Sequence, residues 1–271
     1  MPELPEIERY KNYINSKVLD SNITDLVILD KEVIDVPEKQ DIKDILLNSS
    51  IENIDRIGKY LVLSITNSFC LEWHFGMTGL PYIFEKGSNP DYSRVIIIFE
   101  SGIKLAFIDA RKFGKMRIVK NQAEVIENHQ LGADALSISQ SKFIDAFESS
   151  TAMVKTGLMN QSMICGIGNL YSDEILFQAK LYPKTQFKDL NKDKLAALHS
   201  KTISVLKTAI NVLQKHPISE HYTMSGKEFP DSFLIRHRKN GNQCPQCGEK
   251  IATMKLGGRT CYYCPKCQKK E

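Results

Sequence analysis

Two CxxC pairs, Cys244-x2-Cys247 and Cys264-x2-Cys267, stand sixteen residues apart near the C-terminus and constrain the fold there more than any other feature. Four thiols at this spacing predict a tetrahedral Zn²⁺ site closed on a β-hairpin. The N-terminus lacks the basic-then-apolar pattern of a secretory signal, so the pairs read as metal ligands rather than disulfides. Four protein ligands leave no open position on the ion, so one structural zinc is expected and no chemistry at it. Cys261 is a fifth cysteine of the module and is not expected to be a ligand. Between the knuckles, Lys255-Leu256-Gly257-Gly258-Arg259 reads as a hairpin tip with a projecting arginine. Such a tip suits a phosphate, or is simply a solvated turn.

At the other end stands Met1-Pro2-Glu3-Leu4-Pro5-Glu6. Loss of Met1 would leave Pro2 as a secondary amine. An α-amino group has a pKa of roughly 7.7–8.0 against roughly 10.4 for lysine, so much of it is an unprotonated nucleophile near neutral pH. Amines that attack carbonyl-type carbons form Schiff bases. Glu3 and Glu6, at i and i+3, add two carboxylates on one helical turn. The same residues also read more plainly, with Pro5 starting a helix and the glutamates complementing its dipole.

The spacing of Ile7, Tyr10, Ile14 and Val18 predicts a helix over 4–18, with Glu3 and Glu6 off its apolar face. β-rich stretches follow over 23–29, 51–65, 70–75, 94–99 and 104–119, separated by turn residues, and predict an antiparallel β-sandwich or barrel. From about 121 the period becomes helical, over 122–130, 140–149, 173–181 and 192–214. Residues 215–243 carry no clear period and read mostly as loop. The expected fold class is α+β, with a helix plus antiparallel sandwich over 1–120, a helical domain over 121–232 and the zinc module over 233–271. The 42% hydrophobic, 25% charged composition is that of an ordinary globular protein. No apolar run is long enough to span a membrane. The formal charge of +4 falls to +2 with four thiolates and one Zn²⁺, so net charge alone says little about partners.

Three further sets carry chemistry. Gly166-Ile167-Gly168-Asn169 precedes a helical pattern; Asn169 suits its cap, and exposed N–H groups at a helix start suit phosphate. Lys59, His74 and Met77 lie in Gly58-Lys59-Tyr60 and His74-Phe75-Gly76-Met77. Asp109-Ala110-Arg111-Lys112-Phe113-Gly114 supplies an arginine and a phenylalanine on a loop. Met, Arg and Phe on loops are suited to wedging a base out of the DNA stack, although Met77 and Phe113 also read as core.

Taken together and in this order, these motifs and the four-cysteine hairpin resemble the formamidopyrimidine-DNA glycosylase / endonuclease VIII family over nearly the whole chain. The resemblance implies a DNA repair enzyme with an N-terminal β-sandwich, a helix–two-turns–helix domain and a zinc finger. It would act on damaged double-stranded DNA as a monomer, in the cytoplasm and not at a membrane. Pro2 would attack C1′ of the damaged nucleotide, Glu3 would open the sugar ring, and Glu6 would support the same site. Lys59, His74, Asn169 and Arg259 resemble phosphate ligands, and Lys155 resembles the family's lysine upstream of the glycine turn and is expected at the DNA with them. Met77, Arg111 and Phe113 resemble the residues that fill the vacated space.

The chain departs from the family pattern in three places. Asn160-Gln161 stands where Asp-Gln is common, Cys165 replaces a small alanine, and Lys215–Tyr222 replaces a Gly-Gly-Thr-Thr stretch typical of members acting on oxidised purines. The last departure sets oxidised pyrimidines against oxidised purines, which the intact Met77, Arg111 and Phe113 set favours. A protein that binds damage without cutting it would need a dead N-terminal motif, and Pro2, Glu3, Glu6 and Lys59 are all present.

Overall fold

Pro5 sits in the first turn of helix α1 (Leu4–Val18), where its missing N–H costs nothing, and Ile7, Tyr10, Ile14 and Val18 form the buried stripe. The computed structural model describes residues 1–35, 42–219 and 226–270. Among these, contacts gather into two compact units, one of residues 1–129 and 216–219, the other of 130–215 and 226–270.

The first unit is a β-sandwich. Its elements after α1 are β1 (Ile23–Ile28), β2 (Ile34–Asp35), α2 (Ile42–Leu46), β3 (Ile51–Ile57), β4 (Tyr60–Ile65), β5 (Cys70–His74), β6 (Leu80–Phe84), β7 (Ser93–Phe99), β8 (Lys104–Ile108), β9 (Lys115–Val119) and α3 (Gln122–Asn128). One sheet has the order β1-β7-β8-β6 and the other β2-β9-β5-β4-β3. All pairings are antiparallel except β2 with β9. Alternation sends Leu61, Leu63, Leu71, Trp73, Met116 and Ile118 of one sheet and Val95, Ile97, Leu105 and Phe107 of the other into a shared core with the α1 stripe.

Two predicted strands are each a pair. The 51–65 stretch turns at Gly58-Lys59, and 104–119 is interrupted by the Asp109–Gly114 loop. β6 escaped prediction because Pro81, which cannot donate to a ladder, disguises a five-residue edge strand. Helix α3, predicted to begin the helical domain at 121, packs on β3 and β9, so the sandwich unit runs to His129.

The second unit contains β10 (Ala133–Asp134), α4 (Gln140–Phe147), α5 (Val154–Leu158), β11 (Ile164–Cys165), α6 (Asn169–Gln178), α7 (Lys192–Gln214), β12 (Ala252–Leu256) and β13 (Arg259–Tyr263). α6 and α4 pack on α7, and β13 packs on α6. α6 starts at Asn169, four residues before the predicted 173, because Tyr171 to Phe177 are buried continuously and blur the helical period. The predicted 215–243 loop is irregular where described, apart from one 3-10 turn, Leu234–His237.

Candidate active site and nucleic-acid interface

Glu3 is the N-cap residue of α1 and only 4% exposed, against the expectation that it stands off the buried surface. Its N–H donates to Glu6 Oε2 at 2.9 Å, half of a capping box. Glu6 thereby fixes the backbone at Glu3, and Pro2, half-buried, is the next residue upstream. α1 is tied to the β3–β4 turn by one guanidinium. Arg56 Nε donates to Glu8 Oε2 at 2.7 Å, and its Nη1 to the Gly58 carbonyl at 3.1 Å. Lys59, next in that turn, is 8% exposed.

His74 ends β5, directly across from Tyr60 on β4. Its Nδ1 accepts the Gly76 N–H at 3.3 Å, which leaves Nε2 to carry the proton of the neutral ring. Burial first, then the Lys59 charge, pull its pKa from 6.5 down to about 4. Near neutral pH His74 is thus a neutral N–H donor beside a lysine cation.

Met77, Arg111 and Phe113 lie on two loops held together by Asp109. Its fully buried carboxylate accepts from Thr78 Oγ1, from the Arg111 N–H at 3.2 Å and from the Gly114 N–H at 2.8 Å. Gly76 has φ +58°, and a Cβ there would lie 2.5 Å from the backbone of Phe113 and Gly114, so only glycine lets the loops meet. Met77 and Phe113 are 38% and 51% exposed, and the Arg111 guanidinium stacks 4.7 Å from the Phe113 ring centroid. The core readings of Met77 and Phe113 therefore fail. Large apolar side chains held out in water on braced loops are what a wedge requires.

Arg9 of α1, buried at 6% exposure, donates to the carbonyls of His216 and Pro217 at 2.7 and 2.6 Å. Ile218 packs on the sandwich core. The start of the divergent Lys215–Tyr222 segment is thereby fixed to α1. Residues 220–222, the end of that segment, lie outside the described residues.

In the second unit, Asn169 is the first residue of α6, and its N-cap is Gly168. The expected helix cap by the Asn169 side chain is not made, because Nδ2 donates instead to the Thr260 carbonyl of β13, at 3.1 Å. That bond sets the N-terminal end of α6 beside Arg259. Gly257 and Gly258, with φ +54° and +73°, form the tight turn of the β12–β13 hairpin and leave Arg259 exposed.

Lys155 departs from its expected place at the DNA. It is fully buried, and its three ammonium hydrogens are matched by the Asn169 carbonyl at 2.8 Å, Ser172 Oγ at 2.7 Å and Asp173 Oδ1 at 2.6 Å. Asp173 also accepts Arg238 Nε and Nη2 at 3.1 and 2.9 Å and the Tyr262 N–H of β13 at 3.2 Å. Neither Asp173 nor Arg238 was found from sequence; a Ser172-Asp173-Glu174 run inside an otherwise apolar helix is the one local signal, and it bears on Asp173 alone. Glu174 Oε2 accepts the Ile235 N–H at 2.8 Å, and burial raises its pKa to about 7.

The departures at 160–165 are absorbed locally. Asn160 Oδ1 accepts the Ser162 N–H at 3.1 Å, as a carboxylate oxygen would. Cys165 is buried on β11 beside β10.

The Sγ atoms of Cys244, Cys247, Cys264 and Cys267 lie within 4.8 Å of one another, with Cys244–Cys267 at 3.8 Å and Cys247–Cys264 at 3.5 Å. A Zn–S length of about 2.3 Å puts tetrahedral sulfurs about 3.8 Å apart, so the set fits one Zn²⁺. Gln268, 1% exposed, braces the second knuckle by accepting the Cys264 N–H and donating to the Leu181 carbonyl, both at 2.9 Å. Cys261 is buried on β13 outside the cluster.

Comparison with known proteins covers the same ground. Residues 1–116 match the family model of the formamidopyrimidine-DNA glycosylase N-terminal domain, 131–219 that of its H2TH domain, and 241–270 that of a zinc finger found in FPG and IleRS. The chain is 31% identical to a formamidopyrimidine-DNA glycosylase of Ureaplasma parvum, over 99% of this chain and 100% of that protein. It is 32% identical to one of Protochlamydia amoebophila, over the full length of both. Among solved structures, a Lactococcus lactis FPG mutant bound to Fapy-dG-containing DNA matches at 26% identity and TM-score 0.85, over 99% of this chain and 100% of that one. A wild-type complex with oxidised-pyrimidine-containing DNA matches at 25% and 0.88 over the same shares.

Proposed function

We propose that this chain, which belongs to the formamidopyrimidine-DNA glycosylase family, excises oxidised bases from duplex DNA with Pro2 as nucleophile and then cuts the strand at the resulting abasic site. With Met1 removed, the Pro2 nitrogen forms a bond to C1′ of the damaged nucleotide. Glu3 gives a proton to the sugar ring oxygen, the ring opens, and the base departs with the electron pair of its glycosidic bond. The amine proton lost in this step leaves an iminium between Pro2 and C1′. That cation draws electrons from the C2′–H bond once the proton is removed, and the 3′ phosphate leaves by β-elimination. A second, δ-elimination expels the 5′ phosphate, and water hydrolyses the iminium to free the amine. No redox change occurs, so no redox cofactor is required.

The observation that carries this reading is the double hold on α1. Glu6 fixes Glu3 behind Pro2, and Arg56 joins the same helix to the turn that presents Lys59. Nucleophile, acid and a phosphate-binding lysine thus share one rigid frame, which is what effective orientation demands. His74, Asn169 and Arg259 take further phosphates; Met77, Arg111 and Phe113 replace the extruded base and offset part of an unstacking cost of a few kcal/mol. Lys155 acts at one remove, by holding the start of α6. The four cysteines would hold a structural Zn²⁺ that fixes the β12–β13 hairpin. A monomer on nucleoid DNA in the cytoplasm is the working state proposed, with the sandwich unit through His129 as the catalytic portion, followed by helical and zinc-finger portions that divide near 232.

Oxidised purines, 8-oxoguanine and formamidopyrimidines, are the favoured substrates, supported by the braced wedge set and the relatives' names. The divergent Lys215–Tyr222 segment favours oxidised pyrimidines as the second reading. Pro2→Gly tests the mechanism: strand cleavage should collapse while duplex binding stays close to wild type. Unchanged cleavage would refute the N-terminal amine.

A further inference from the structure

Glu72 is a buried carboxylate with no part in the chemistry above. It stands in the middle of β5, 3% exposed, and its Oε1 lies 2.8 Å from Nε2 of His129, the C-cap residue of α3. Its Oε2 has no hydrogen-bond partner among the described residues. Burying a carboxylate is costly, and apolar contact would fasten α3 to the sheet more cheaply. α3 is in any case held elsewhere, by buried Val125 and by Gln122 Nε2 on Asp55 at 2.5 Å. A polar pair at this place fixes a direction, and the direction is that of the His129 ring.

That ring stacks on Tyr60, with centroids 4.3 Å apart and planes 18° apart. Tyr60 also meets His74, at 4.9 Å and 38°. Strand register explains the column. Tyr60, Glu72 and His74 share one face of the sheet, with Lys115 beside His74 and Arg117 beside Glu72. Arg117 is itself paired with Asp35, and the Lys59 charge reaches His74 from the β3–β4 turn. The chain of contacts Glu72–His129–Tyr60–His74 therefore ends at two of the phosphate ligands proposed above, His74 and the residue before Tyr60, Lys59.

We infer that Glu72 and His129 are positioning residues that hold Tyr60 as the platform for His74 and so set the enzyme's grip on the lesion-strand phosphates. The inference rests on the proposed role of His74, and the test separates the two. Affinity for a duplex with a tetrahydrofuran abasic analogue is measured for His74→Ala, His129→Ala and the double variant, with thermal melts confirming folding. His74→Ala should weaken binding roughly tenfold, about the size of one charge-assisted hydrogen bond. His129→Ala should weaken it severalfold, and the double variant should bind no worse than His74→Ala alone, since residues acting through one another are not additive. Equal losses from His129→Ala with and without His74 would make the pair a mere latch for α3, and no loss at all would likewise overturn the inference. Wild-type binding by His74→Ala would remove the ligand reading itself, and this inference with it. Glu72→Gln keeps the side-chain volume and gives the same comparison if His129→Ala does not fold.

Discussion

Lys155 Nζ lies 2.6 Å from Asp173 Oδ1, with both side chains closed to solvent. Removing one partner of such a pair strands a buried charge, at a cost of about 3–5 kcal/mol. Arg238 would remain on Asp173 and places the expected cost at the lower end. Lys155→Ala should therefore lower the melting temperature by roughly 6 °C or more. Thermal unfolding followed by circular dichroism checks this. An unchanged melting temperature with a reduced salt slope of DNA binding would make Lys155 a phosphate ligand after all.

Asp109 gathers the two wedge loops, so Asp109→Ala leaves the Arg111 and Gly114 N–H groups without their acceptor. Losing buried partners of this kind costs about 1–3 kcal/mol each. Base extrusion should slow by about tenfold, while affinity for a duplex with the nucleotide already extrahelical should change little. Stopped-flow fluorescence of 2-aminopurine beside the lesion reads the extrusion step. Equal effects on both duplexes would contradict a role confined to the wedge.

His74 and Glu174 predict opposite pH responses in the two units. The unfolded chain protonates His74 near its ordinary 6.5, the folded one only near 4, so acidification between those values favours unfolding of the sandwich. Glu174 holds its proton up to about 7 when folded but only to about 4.5 when unfolded, so raising the pH through that window weakens the helical unit. Trp73, the single tryptophan, is buried in the sandwich core and reports the first transition by fluorescence. Helical ellipticity weights the second. His74→Asn should flatten the acid limb, and Glu174→Gln the alkaline limb; unchanged slopes in either variant would contradict the assignment.

The hairpin that carries Arg259 runs between the two CxxC pairs of the cysteine cluster. Cys264→Ser should lose zinc and DNA affinity together, because metal binding at such sites is folding free energy. Arg259→Ala should leave zinc in place, weaken binding on all sequences alike and reduce the salt slope by about 1. Metal analysis with fluorescence anisotropy across a salt series measures both. Tight binding by zinc-free protein would refute a DNA-contacting hairpin.

Much of this was legible in the chain because its signals are local. The CxxC spacing gave the metal cluster, the α1 stripe gave its boundaries to the residue, and the glycine-bearing loops pointed to the exposed Met77 and Phe113. What escaped is long-range pairing. Nothing near Asp173 in sequence announces that it joins Lys155, Arg238 and Tyr262, since those partners are 18, 65 and 89 residues away. Lys155 looks like any solvated lysine until its carbonyl and carboxylate partners are in place. Glu72 sits in an apolar strand, where a lone glutamate is a signal of burial, but its partner His129 is 57 residues distant. Asn169 has the residue type of a helix cap and is drawn away by Thr260, 91 residues on.

Borohydride trapping bears most directly on the N-terminal amine. Protein shown by mass spectrometry to have lost Met1 is mixed with duplexes carrying 8-oxoguanine, 5-hydroxycytosine, thymine glycol or a plain abasic site, and borohydride reduces any enzyme–DNA imine to a stable cross-link. The account predicts a cross-link mapped to Pro2, formed on the abasic duplex and faster on 8-oxoguanine than on either pyrimidine lesion. No cross-link on any duplex, the abasic one included, would contradict it.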